Sequence, residues 1–321
     1  MDETYLFFDI ESANNFDGEG HICSFGYVLC DKKFNLLESE DIVMNPRSEF
    51  DPILFSGRAK CTLAYPREYF LSHPDFSFHY ERIKNLLTAP GRKSIGFAVE
   101  NDISFIVSAC KNFSLPQIDF SAYDSHVIAD RINNSHNGLS SWLKFYGVDT
   151  SSLQAHKSSD DAMMTMMLVK KLCETQKMSV GEFLAKNFFS LRTVSQEITR
   201  RKVKAYKKIL QEKIAMLYNR RCRSQIPKKL KGKFKLALST ERDFGQIYDI
   251  HLLVFNNGGE LVPKLCPGCT FVYEDESGRS AWMNDPKFSN IKFISLGELF
   301  STLEMEGWEM KKIDVNSLPD M

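Results

Sequence analysis

Asp9 and Glu11 lie one residue apart at the end of the apolar run Leu6-Phe7-Phe8-Asp9-Ile10-Glu11. Side chains alternate along a strand, so both acids project from one face. Two carboxylates side by side on a buried strand repel and desolvate each other unless something positive sits between them. A divalent cation that prefers oxygen ligands, Mg²⁺ or Mn²⁺, is the usual answer. The competing reading is a strand end with two solvated acids. A second polar set, His156-Lys157-Ser158-Ser159-Asp160-Asp161, opens a Met-rich stretch. On one continuous helix His156 and Asp161 would lie about 140° apart, at ~100° per residue. They converge only if His156 sits in the loop before a helix that starts at Ser158 or Ser159. Ser158 with Asp161 three residues on also makes a capping-box-like pair, and Asp160 and Asp161 would complement a helix N-terminus without any chemistry. A third acid, Asp102, follows a short apolar stretch and opens a helix, where an ordinary N-terminal cap is the competing role.

The elements that must position these residues alternate in type. Tyr5 to Ile10, Ile22 to Leu29 and Phe34 to Leu37 read as strands, with a turn at Asp31-Lys32-Lys33. Apolar spacings of three and four make residues 76–88 a helix. Ser94 to Val99 reads as a strand, Ile103 to Phe113 as a helix and Gln117 to Tyr123 as another strand. Leu139 to Tyr146 reads as a helix ending at Gly147, and Ala162 to Cys173 as a long one. Strands alternating with helices imply an α/β layered domain over residues 1–190.

The 321-residue chain has a formal net charge of zero, which conceals a pattern. Residues 1–199 carry 19 basic and 26 acidic side chains, residues 200–235 carry 15 basic against Glu212 alone, and residues 236–321 carry 7 basic and 14 acidic. Two acidic bodies are thus joined by a strongly basic stretch. Residues 191–233 read as a basic, largely helical connector, broken from Ser224 to Lys233. Arg200, Arg201, Lys202, Lys204, Lys207 and Lys208 are its candidate nucleic-acid contacts, and packing against the acidic bodies is the alternative. No window approaches the ~18 consecutive apolar residues of a membrane span. The acidic start Met1-Asp2-Glu3 is unlike a secretory signal. Eight scattered cysteines suit a reducing compartment, and the expected location is cytoplasmic. Cys266-Pro267-Gly268-Cys269 is half of a zinc site with no second half in the sequence, so no zinc is expected.

Taken together and in order, Asp9-x-Glu11, Asn101-Asp102-x-x-Phe105-Ile106 and His156-(x)4-Asp161-Ala162 resemble the DEDDh exonuclease family, the group that includes the proofreading subunit of bacterial replicative polymerases. Asp124-Ser125 and Leu139-Ser140-Ser141-Trp142-Leu143-x-x-Tyr146-Gly147-Val148 resemble further stretches of that family. The resemblance covers residues 4–175 or so and implies an RNase H-like core with a mixed central sheet. It implies that Asp9, Glu11 and Asp161 hold one metal ion and that Asp9 bridges to a second, served by Asp102. His156 would be the general base. The implied activity is metal-dependent 3′→5′ hydrolysis at the 3′ end of single-stranded nucleic acid with two divalent cations, Mg²⁺ or Mn²⁺. DNA is the favoured substrate, in replication proofreading or repair. An exoribonuclease that processes RNA and a non-catalytic nucleic-acid-binding scaffold are the alternatives. Many family members have His-Asn where this chain has Phe97-Ala98, which bears on how the terminal nucleotide is held.

Residues 234–310 resemble a BRCT domain more loosely. The pattern is a strand at Phe234–Leu238, a helix leading to Asn256-Asn257-Gly258-Gly259, strands at Leu261-Val262, Cys269–Tyr273 and Phe293–Leu296, a short helix near Ser280–Met283 and a final helix Glu298–Leu303. The resemblance implies a small α/β domain that binds a protein partner. The family's usual Thr-Gly after the first strand is replaced by Ser239-Thr240-Glu241.

Overall fold

The computed structural model describes residues 3–16, 19–55, 62–220, 229–239, 242–274 and 289–305. The chain divides into two compact units, Met1–Ile198 and Thr199–Met321. Among the described residues no helix is long and apolar enough to cross a membrane.

The first unit is built on a six-stranded mixed sheet. Its strands are β1 (Thr4–Phe16), β2 (Glu19–Asp31), β3 (Leu36–Val43), β4 (Arg92–Gly96), β5 (Ser121–Asp124) and β6 (Leu191–Thr193), in the order β3-β2-β1-β4-β5-β6. β1 pairs antiparallel with β2 and parallel with β4, so it is the central strand where the two patterns meet. The helices are α1 (Arg67–Leu71), α2 (Phe76–Thr88), α3 (Glu100–Asn112), α4 (Ser125–Asn133), α5 (Leu139–Phe145), α6 (Ser158–Gln176) and α7 (Val180–Lys186). The expected α/β architecture with a mixed central sheet is therefore present.

Alternation along β1 decides which way the acids face. Leu6, Phe8 and Ile10 enter a core shared with Ile83 and Leu87 of α2 and Ile103 and Ile106 of α3. Tyr5 and Phe7 enter a second core with Trp142 of α5 and Leu168, Val169 and Leu172 of α6. Asp9 and Glu11 continue the Tyr5–Phe7 row, on the α6 side. A one-residue slip would turn Asp9 and Glu11 into the apolar α2/α3 core, where a carboxylate has no partner, and would swap the two packed rows of side chains between their cores. The register is thus fixed by the same residues that aim the carboxylates.

Several boundaries differ from expectation. The turn after β2 is wider than three residues, because the Asp31 carboxylate accepts hydrogen bonds from the backbone N–H of Lys33 and Asn35 and from Asn35 Nδ2. The third strand consequently starts at Leu36 and runs through the exposed acids Glu38 and Glu40. The strand expected over Ser94–Val99 ends at Gly96, where Ala98 at φ 58° turns the chain out of the sheet. The strand expected over Gln117–Tyr123 forms only from Ser121. Helices α4 and α7 add to the expected elements. Asp124 caps the first by accepting from the N–H of His126 and Val127. A Ser179/Glu182 capping box starts the second. Gly147 ends α5 with φ 65°, the left-handed step expected of it.

A long helix, α8 (Val194–Tyr218), forms where the basic connector was expected; its first five residues belong to the first unit and the rest to the second. The second unit continues with β7 (Lys233–Ala237), α9 (Phe244–Asn256), β8 (Glu260–Leu261), β9 (Thr270–Tyr273), β10 (Lys292–Ser295) and a final helix Leu296–Thr302. Its four strands are all parallel, in the order β10-β9-β7-β8. Leu236, Ile250, Val254, Val272 and Leu299 form its core. The helix expected near Ser280–Met283 lies outside the described residues, as do residues 224–228 of the Ser224–Lys233 break.

Candidate active site

Opposite Asp9 in the β1–β2 register stands Gly26. A Cβ at position 26 would lie 2.0 Å from Ser158 C and Ser159 N and 2.4 Å from Ser158 O. The backbone that starts α6 therefore rests directly on β2 beside Asp9, an approach only glycine permits. Ser158 does not form the capping box expected with Asp161. Its buried hydroxyl pairs with Ser24 Oγ at 2.6 Å, and α6 has no side-chain cap. Ser24 in turn donates to Asp41, which also accepts from Tyr65 Oη at 3.0 Å. This network holds the start of α6 against β2 and β3.

Freed from capping, the Asp161 carboxylate accepts the backbone N–H of His156 at 2.9 Å. His156 is in the loop before α6, as the spacing required, and its φ is 63°. A histidine held in left-handed backbone is locally strained, and such residues gather where a side chain must be aimed. Its Nδ1 lies 3.5 Å from Glu11 Oε1. One ligand atom each from Glu11, His156 and Asp161 falls within 4.8 Å of the others, a spacing that can hold a metal ion. Asp9 and Asp102 are outside that trio at this spacing, but both carboxyls feel its charges.

Asp102 is buried, in the first turn of α3, and is not a cap: the helix begins after Val99 without a side-chain hydrogen bond. Its Oδ1 accepts the backbone N–H of Ile10 at 3.2 Å, which ties α3 to β1 between the two acids of that strand. Asp124, the buried cap of α4, also accepts the N–H of Ala98 at 3.1 Å, and Ser125 Oγ donates to Gly96 O at 2.8 Å. Asp124 and Ser125 thus shape the loop that delivers Asp102. Phe97, in that loop, stacks on His126 with ring centroids 4.6 Å apart.

Like charge dominates the site. Burial pushes the Asp9 carboxyl well above the usual carboxylate range, and the charges of Asp102, Glu11 and Asp161 push it further, while His156 acts the other way. Burial raises Asp102 in the same sense, opposed by the Ile10 N–H and reinforced by Asp124 and Glu11. Asp161 is raised to about 6, first by burial, against the hydrogen bond from His156. A pocket that holds four carboxylates and leaves them short of positive charge suits a hard divalent cation, and the donor set is the one such ions take.

Of the five candidate residues, Glu11, His156 and Asp161 come together at ligand spacing, and the charges of Glu11 and Asp102 act on Asp9 and that of Glu11 on Asp102; the sequence pattern missed Gly26 and the Ser24–Ser158 pair. Both are small residues whose signal lies in a close approach between elements far apart in sequence. Of the connector residues, Arg200, Lys204, Lys207 and Lys208 are exposed along α8, and Arg201 and Lys202 are half-buried. Cys266 and Cys269 flank a turn with Gly268 at φ 74°, and the backbone N–H of Cys269 donates to Cys266 O at 3.2 Å.

The fold is thus α/β on a mixed sheet, with a carboxylate- and imidazole-lined site at the end of its central strand. No family model matches the chain, and no curated protein matches it. Among solved structures it is similar to exonuclease I, in a structure described as suggesting how processivity is achieved, at 18% identity over 57% of this chain and 43% of that one, with a TM-score of 0.47. It is similar to E. coli exonuclease I in complex with a dA16 oligonucleotide, at 18% identity over 55% and 42% and a TM-score of 0.46. The zinc-bound form of the E. coli ExoI–ssDNA complex is matched at 18% identity over 58% and 43%, with a TM-score of 0.47. The chain spans less than half the length of each.

Proposed function

We propose that the first unit is a two-metal 3′→5′ exonuclease with an RNase H-like core, which hydrolyses the terminal phosphodiester of single-stranded nucleic acid, DNA in preference to RNA. The observation that carries this reading is the meeting of Glu11 of β1 with His156 and Asp161 from the start of α6 at metal-ligand spacing, beside Asp9 of the same strand and within range of the charge on Asp102 of α3. A binding scaffold has no need of four neighbouring carboxylates, Asp102 buried and the other three half-buried, that repel one another. Asp9, Glu11 and Asp161 are assigned to one cation, and Asp9 and Asp102 to a second. When bound, such cations would supply activation of water and neutralisation of charge on the phosphate. His156 would accept the proton of the attacking water, a role imidazole side chains commonly take in general-base catalysis. The Asp161 carboxylate holds the backbone of His156 in place for this. The cationic face of α8 at Lys204, Lys207 and Lys208 would track phosphates, and the parallel α/β second unit would serve as a BRCT-like module for a protein partner in replication or repair.

The test is digestion of 5′-labelled and 3′-labelled DNA and RNA oligonucleotides with Mg²⁺, with Mn²⁺ and with EDTA. Metal-dependent shortening from the 3′ end is expected, faster on DNA. Attack from the 5′ end, or shortening that survives EDTA, would refute the reading.

A further inference from the structure

A second cluster of metal-ligating side chains shares no residue with these carboxylates. His126 and Asp130 are four residues apart on α4, so they share one face. Asn134 ends that helix in left-handed backbone, with φ 47°, and turns the chain back so that His136 reaches the same face. His136 Nδ1 lies 2.5 Å and His126 Nε2 3.2 Å from the same oxygen, Asp130 Oδ2. The two imidazole centroids are 4.8 Å apart. The other oxygen of Asp130 is engaged elsewhere: Oδ1 accepts from Trp142 Nε1 at 3.0 Å and from the N–H of Asn137 at 3.3 Å. Those two bonds orient the carboxylate and leave Oδ2 to the imidazoles, as outer partners orient a metal ligand. His126 is further fixed by stacking on Phe97.

One contact resists explanation as a polar network. His126 Nε2 is buried and, despite its 3.2 Å separation from Asp130 Oδ2, has no hydrogen-bond partner among the described residues. Ligand atoms around a tetrahedral ion behave in this way, since they aim at a shared centre and sit ~3.3 Å from one another. We propose that His126, Asp130 and His136 bind a borderline divalent transition-metal ion, Zn²⁺ by preference, with water as the fourth ligand. The nitrogen-rich donor set distinguishes this site from the carboxylate cluster, which suits a harder ion. Coordination would open the short His136–Asp130 pair, and the exposed His136 ring, with 83% of its side-chain surface accessible, provides an entry path.

The test uses the full chain carrying Glu11→Ala and Asp161→Ala, which dismantles the other cluster, stripped with a chelator and dialysed. Titration with Co²⁺ should give one equivalent bound, with the visible d–d bands of a tetrahedral centre, and one equivalent of Zn²⁺ should displace it. His136→Ala in the same background, a change at an exposed side chain, should weaken binding at least about tenfold. No bound Co²⁺, or binding that His136→Ala leaves unchanged, would overturn the proposal and leave Asp130 as a structural acceptor for Trp142.

Discussion

Gly26→Ala tests whether the active-site geometry depends on the contact between β2 and the start of α6. The added methyl would lie 2.0 Å from Ser158 C and Ser159 N, whereas ordinary contacts begin at 3.4 Å. Both obstacles are backbone, so no side chain can swing away, and the start of α6 must retreat by about 1.5 Å. His156 and Asp161 flank Ser158 and would move with it, away from Asp9 and Glu11. A displacement near 1 Å costs about 10²-fold in rate where reacting groups must be aligned. The overpacking itself should cost only about 1–3 kcal/mol of stability, so the fold survives. Gly138→Ala is the control, since nothing lies within 4 Å of its added methyl. The assay is kcat/KM for shortening of a 5′-labelled oligonucleotide with Mg²⁺, with a melting curve for each variant. A folded Gly26→Ala as active as Gly138→Ala would refute the argument.

Four further outcomes are expected. His156→Ala should lower kcat about 10²–10⁴-fold and flatten the acid limb of the pH–rate profile; a retained limb would remove His156 as the base. Asp9→Asn should abolish metal-dependent activity yet raise the melting temperature in EDTA, because it relieves the repulsion around Asp9; a lower melting temperature would contradict this. Folding raises Asp161 from 3.8 to about 6, so the folded state binds the proton more tightly, and without metal stability should fall as pH rises through that window, by at most about 3 kcal/mol. Mn²⁺ should restore it, and a melting temperature flat from pH 4 to 7 in EDTA would count against the raised carboxyl. Reversing Lys204, Lys207 and Lys208 to Glu should reduce the salt slope of single-strand binding by about 0.7 for every phosphate that is no longer neutralised, and an unchanged slope would make that face structural.

What was legible in the sequence follows the range of the interactions. Asp9 and Glu11 were readable because strand alternation is local, and the apolar residues beside them state which face is core. The placement of His156 before its helix followed from helical spacing alone. The capping box at Ser158 failed because the alternative partners, Ser24 for the hydroxyl and His156 for the Asp161 carboxylate, reach it by folding rather than by sequence. Gly26 carries no local signal, since its reason for being glycine is a helix start more than 130 residues later. Helix α4 is hard to read although Asp124-Ser125 stands at its start, because its nine residues hold too short an apolar pattern to show a helical period. His126, Asp130 and His136 stay hidden for the same reason, since their spacing has meaning only once that helix and its left-handed end are known.

The central claim is that Asp9 organises a pair of cations. Anomalous scattering from crystals grown with Mn²⁺ tests it most directly. Two peaks ~3.5–4 Å apart are expected, both in contact with Asp9, one also reached by Glu11 and Asp161 and the other on the Asp102 side. Crystals with no Mn²⁺ peak at Asp9, and the four carboxylates arranged as they are without metal, would contradict the account.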